Sequence, residues 1–276
     1  MHGSEYDKYR IKLRNGVEMP LLGFGVMQMK DSEECIRCVR EAYACGFRMF
    51  DTAASYGNEE SVGDALRELM DEGKARREEL FVITKLWIDG AGEKEALKAF
   101  EKSLDRLGLD YIDLYLIHQP YGDYYGAWRT LEKLYEEGRI RATGVSNFSP
   151  ERLTDLCLNS RIPPMVNQVE LHPFYHQESA LRIMEDLGVQ PQGWAPLCEG
   201  LKNIFSNRVL EKIGKKYGKS AAQTSLRWNI DRGVSVVTRS SVPDHMQEDY
   251  DIWDFTLTDG EKKAVRQLDL GYSEIL

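Results

Sequence analysis

Along the chain, short apolar runs alternate with longer stretches whose apolar residues recur every three or four positions. The runs are LLGFGV (21–26), FRMFD (47–51), LFVITK (80–85), IDLYLIH (112–118), IRATGVS (140–146), MVNQVEL (165–171), VQPQGWA (189–195) and VSVVT (234–238). They read as strands. The stretches between them, such as ECIRCVREAYACG, SVGDALRELMDEG, EKEALKAFEKSLDRLGL and GAWRTLEKLYEEG, read as helices. Gly46, Gly73, Gly108 and Gly138 stand near the ends of these patterns, where helix C-caps favour glycine. Ahead of the first run, IKLRNGVEMP sets Asn15-Gly16 between alternating residues, which predicts a hairpin closed by a type I′ turn.

Eight strands separated by helices, without a linker or a break in composition, predict one α/β domain over residues 1–276. Its form would be a (β/α)8 TIM barrel, with the N-terminal hairpin closing the barrel bottom. A doubly wound sheet is the alternative, but its dinucleotide fingerprint is incomplete. Gly23-Phe24-Gly25 begins like one, and Gln28 stands where the third glycine belongs.

In a parallel barrel the strand C-termini converge on one face, so residues that end successive strands become neighbours. Asp51 ends the second run, Tyr56 follows on the next loop, Lys85 ends the third run and His118 the fourth. A tyrosine ordinarily titrates near 10, too high to exchange protons easily near neutrality, and an adjacent ammonium would lower that value. Asp51 would keep Lys85 charged, and His118 would hydrogen-bond a carbonyl oxygen. The set is suited to polarising and protonating a C=O group, with the electrons supplied by a cofactor. Each residue alone also has a plain structural reading. Asp51 caps a segment, Tyr56 packs at a rim, and Lys85 and His118 are satisfied polar groups. Their convergence on one mouth favours chemistry.

Composition narrows the partners. The chain carries a net charge of −9 without a basic block, which argues against nucleic acid and anionic membrane. The N-terminal MHGSEYDKYR lacks the apolar core of a signal peptide, and a cytoplasmic, monomeric protein acting on a small carbonyl compound is the expectation. Five unevenly spaced cysteines do not form a disulfide framework, and Cys35-x-x-Cys38 has no second pair to complete a metal site. His172 and His176 are four apart, but Pro173 interrupts them and no third ligand is evident, so no metal is expected.

FDTAASYGNE, ITKLW, DLYLIHQP, GVSNFSPERL, VNQVELHPF and GWAPLCEG, in that order, resemble the aldo-keto reductase family, and the likeness runs from Ile11 to Leu270. The resemblance implies NADPH-dependent reduction of aldehydes or ketones. Tyr56 would be the general acid, Lys85 and Asp51 would lower its pKa, and His118 would position the carbonyl. Gly25, Val26, Pro196 and Leu197 would border the cofactor. Ser146, Asn147 and Gln168 would bond the nicotinamide carboxamide, and Trp194 would stack on its ring. At the phosphate end, Arg239 stands where the family often has lysine, and Ser240 and Glu248 fit the pattern. His245 replaces a permanent cation and Asp249 an asparagine. NADP(H) is therefore the expected cofactor, with NAD(H) use also open.

Met27 and Trp87, with Tyr121 or Phe148, would face the substrate. The chain ends at GYSEIL, where many relatives continue over the pocket, and an open site is expected if that end is natural. Two rival readings remain at this point. One is a Schiff-base lyase using Lys85, which Asp51 opposes by keeping the lysine protonated. The other is a sensor that binds the nucleotide without turnover.

Overall fold

The computed structural model of the protein describes residues 9–273 and 275. Most of the N-terminal MHGSEYDKYR stretch, and Glu274 and Leu276 of the C-terminal one, lie outside the described residues. The hairpin pairs β1 (Arg10–Lys12) with β2 (Glu18–Pro20) in antiparallel register, Ile11 opposite Met19. Its turn is not the expected type I′, which needs positive φ at both central residues. Only Gly16 adopts it, at 88°, while its N–H bonds the Leu13 carbonyl and Leu13 N–H bonds Val17. Asn15 is instead held by its side chain, which accepts from Val17 N–H and donates to the Arg141 carbonyl at 2.9 Å. That second bond ties the hairpin to the barrel.

All eight apolar runs form barrel strands. They are β3 (Leu22–Gly25), β4 (Met49–Asp51), β5 (Phe81–Leu86), β6 (Ile112–Ile117), β7 (Ile140–Ser146), β8 (Val166–Glu170), β9 (Gln190–Trp194) and β10 (Ser235–Thr238). Each pairs in parallel with its sequence neighbour, and β10 pairs with β3 to close the ring. Helices join the strands on the outside. The helix Ser32–Cys45 starts at Asp31, whose carboxylate accepts from Glu34 N–H, and stops at Gly46. Gly46 and Gly108 are C-caps as expected, whereas Gly73 and Gly138 come one residue beyond theirs.

The twofold alternation of each strand sorts its residues into two cores. Outward-facing Phe50, Val82, Tyr115 and Val145 pack under the helices. Inward-facing Met49, Phe81, Ile83, Leu114, Leu116, Ala142 and Val166 fill the lower barrel, where Leu13 and Met19 of the hairpin join them. On the same inner stripes, two residues further along, apolar gives way to polar. Met49 leads to Asp51, Ile83 to Lys85, Leu116 to His118 and Val166 to Gln168. The polar mouth of the barrel begins at that change.

Candidate active site

Lys85 is fully buried, and its ammonium donates to Asp51 Oδ1 at 2.5 Å and to the Thr52 carbonyl at 3.0 Å. It also lies 3.4 Å from the Tyr56 hydroxyl. Burial alone would lower the lysine's pKa, but Asp51 and Tyr56 together outweigh it, so the value is raised and the ammonium stays charged. Tyr56 departs from expectation. Burial is the strongest influence on its phenol and raises the pKa; Lys85 pulls it down and Asp51 pushes it up, leaving the net shift upward. The lysine acts in the expected direction, but desolvation of the phenolate exceeds its effect.

His118 follows β6, with its backbone N–H on the Leu86 carbonyl. Burial, reinforced by the charge of Lys85, pushes its pKa down to about 3, so the imidazole is neutral at physiological pH. Ser55 Oγ lies 3.4 Å from Nδ1, and the rings of Tyr56 and Trp87 stand edge-on to the imidazole at 5.6 and 5.0 Å. The loop carrying Tyr56 is fixed by Asn58, which accepts from Thr52 Oγ1 and donates to the carbonyls of Val26 and Met29.

Opposite these residues, Ser146 donates to the Gln168 carbonyl at 2.9 Å. Asn147 donates to the His118 carbonyl and accepts from Trp194 Nε1 at 2.9 Å. Gln168 Nε2 donates to Asp51 Oδ2 and to Gln192 Oε1, each at 2.8 Å, which links this group to the Lys85 pair.

A cavity of about 510 Å³ runs between the two groups. Its wall contains Met27, Asp51, Tyr56, His118, Ser146, Asn147, Gln168, Trp194, Pro196, Leu197 and Arg239, together with Gly25. A Cβ on Gly25 would come within 2.8 Å of Val237 Cγ1, so the floor there admits only glycine without a shift. Several expected residues sit elsewhere. Val26, expected beside the cofactor, is buried in the core away from the cavity, and Phe148, expected toward substrate, is buried edge-on to Tyr124, so neither side chain lines the cavity. Trp87 touches His118 without forming part of the wall, and Tyr121 is exposed outside it. His245 is exposed and Glu248 half-buried on the helix Pro243–Tyr250, and Ser240 Oγ bonds the backbone of Val242. Asp249 turns inward, accepting from Thr238 Oγ1 at 2.7 Å; burial pushes its pKa up to about 7. Residues not anticipated from sequence also form the wall, among them Gln119, Thr238, Glu199, Phe205 and Ile275. Strand alternation could have found Gln192, two residues before Trp194 on the same inner stripe. Nothing local marks Phe205, on the 3₁₀ segment Cys198–Ser206, or Ile275, near the chain's end.

Such a barrel, with a phenol, ammonium, carboxylate and neutral imidazole at its mouth, is the framework of a carbonyl-reducing oxidoreductase. The model of the aldo/keto reductase family matches residues 21–270, and the chain belongs to that family, whose enzymes are NAD(P)H-dependent. Glyoxal reductase of Bacillus subtilis is 44% identical over 262 residues, covering 95% of this chain and 93% of the relative. The aldo-keto reductase MGS-M4 from a deep-sea metagenome library superposes with a TM-score of 0.92 at 39% identity, covering 97% of each chain. An aldo-keto reductase of Bombyx mori, solved in complex with NADP, superposes with a TM-score of 0.90 at 33% identity, covering 95% of this chain and 93% of that one.

Proposed function

We propose that this chain reduces aldehydes and ketones to alcohols with Tyr56 as proton donor and NADPH as the preferred reductant. The observation that carries the reading is the contact of Lys85 with both the Tyr56 hydroxyl and Asp51. A phenol with a raised pKa meets the substrate protonated, as a donor must. Once its proton passes to the developing alkoxide, the phenolate lies beside a charged ammonium that is already in position. His118, neutral and at the wall, donates to the same oxygen and orients it.

The residues present fit the cofactor. Gln168 keeps its Oε1 out of every bond to the described residues, Trp194 offers a half-buried ring, and Arg239 is exposed at the cavity wall. NADPH, when bound, supplies the hydride that reaches the carbonyl carbon. Arg239 and Ser240 grip the 2′-phosphate, while His245, which lacks a permanent charge, leaves discrimination against NADH weak. The activity of the Bacillus relative supports small dicarbonyl compounds such as glyoxal as the first substrates to test.

Tyr56→Phe tests the proposal. Reduction of glyoxal, followed at 340 nm, falls by about 10²- to 10⁴-fold while NADPH affinity is retained. Substantial turnover by the Phe variant would remove the proton-donor assignment. Trapping of substrate on Lys85 by borohydride would favour a Schiff-base lyase instead.

A further inference from the structure

We infer that Gln192, buried in mid-barrel, is a positioning residue that acts with Asp51 to set which atom Gln168 presents to the nicotinamide. The inference rests on the nucleotide reading above. Gln168, Gln192 and Ser235 are all buried, and each bond among them has a forced direction. Ser235 Oγ donates to the carbonyl of Pro20, in the hairpin, at 3.1 Å, and a backbone carbonyl can only accept. With its proton committed, Ser235 Oγ is left as the acceptor for Gln192 Nε2 at 3.2 Å. That orients the Gln192 amide, whose Oε1 then faces Gln168 and accepts from its Nε2 at 2.8 Å.

From the other end, the Asp51 carboxylate, paired with the Lys85 ammonium, also accepts from Gln168 Nε2 at 2.8 Å. Two acceptors meet the Gln168 amide nitrogen, so a flipped amide would set oxygen against oxygen at both contacts. Gln168 Oε1 is left as the atom toward the cavity, where it serves as an acceptor for a carboxamide N–H₂. The order Pro20, Ser235, Gln192, Gln168 thus extends the site's polarity down to the barrel bottom. Met19 Sδ and Met49 Sδ, at 3.8 and 3.6 Å from Gln192 Nε2, line the same path as weak acceptors and give no competing direction.

The relay predicts an effect confined to the nicotinamide half of the nucleotide. Gln192→Met keeps side-chain volume close and removes the amide. The Kd for NADPH is expected to rise about three- to tenfold, as for loss of one hydrogen bond, with the Kd for adenosine 2′,5′-bisphosphate unchanged. That second probe carries the adenosine and 2′-phosphate but no nicotinamide. Ser235→Ala, which frees the Gln192 amide to turn, is expected to give a smaller rise confined to NADPH in the same way. Isothermal titration calorimetry measures both ligands, and a thermal melt confirms that each variant is folded. The inference is overturned if either folded variant binds NADPH as the parent does, or loses both ligands in parallel. A parent chain that fails to bind NADPH at all would overturn the nucleotide reading itself, a result separate from any difference among variants.

Discussion

The two ends of the barrel interior are built on the same strands with the same alternation, yet they do opposite things. At the bottom, Met19, Met49, Phe81, Ile83 and Leu114 make an apolar plug whose burial adds to stability, crossed only by the satisfied Gln192–Ser235 bond among the described residues. At the mouth the same inner stripes carry Asp51, Lys85 and Gln168, buried nearly as fully. Burying an ion pair takes it out of water, and the mutual attraction of the charges often returns no more than that cost. On the proposed function, the mouth is where the fold gives up stability for chemistry. The bottom, sealed by the hairpin, is what lets it do so.

The sharpest way to break this contrast is Lys85→Met. It leaves the Asp51 carboxylate buried without its cation, and a loss of about 3–5 kcal/mol in urea denaturation is expected along with loss of carbonyl reduction. Adding Asp51→Asn removes the unpaired charge, so stability returns toward the parent while activity stays lost. If the double variant remained as unstable as the single one, the pair would be structural after all. Met19→Ala makes the reverse case at the bottom. A loss of about 2–3 kcal/mol is expected, toward the low end because the neighbouring flexible Met49 can relax into the space. The kcat/KM of the folded variant should be unchanged; a large fall would mean that the plug shapes the mouth directly.

Much of this contrast is legible in the chain itself. The eight apolar runs define the strands, and a polar residue where an apolar inner stripe ends marks the mouth at Asp51, Lys85 and His118. What is not legible follows from tertiary burial. The direction of the Tyr56 shift depends on how deeply the phenol is enclosed, which no motif states. Asn15-Gly16 is compatible with more than one turn, and the bond from Asn15 to Arg141, a residue far away in sequence, accompanies the one observed. Asp249 occupies a position associated with the cofactor, yet its side chain is turned onto Thr238. Phe205 reaches the cavity from the irregular 3₁₀ segment Cys198–Ser206 and Ile275 from near the chain's end, and neither stretch has a periodic signature.

Asp249 offers the mildest test, because it places the mouth's cost on a pH axis. Its pKa of about 7 in the folded chain lies far above the ordinary aspartate value, chiefly through burial, partly offset by the hydrogen bond from Thr238 and increased by nearby Glu248. A carboxyl raised in this way keeps its proton longer in the folded state than in the unfolded one. Its contribution to stability is complete below about pH 4 and is lost as pH rises through about 7. Asn at this position still accepts from Thr238 but never ionises. Asp249→Asn is therefore expected to match the parent near pH 4 in relative stability and to exceed it at pH 8, with the gap opening as pH rises from about 4 through about 7. Denaturation curves for the two proteins across that range measure the difference. A gap that stays constant with pH would mean that Asp249 is already ionised in the folded chain, and that this corner of the mouth carries its charge at no greater cost than the surface does.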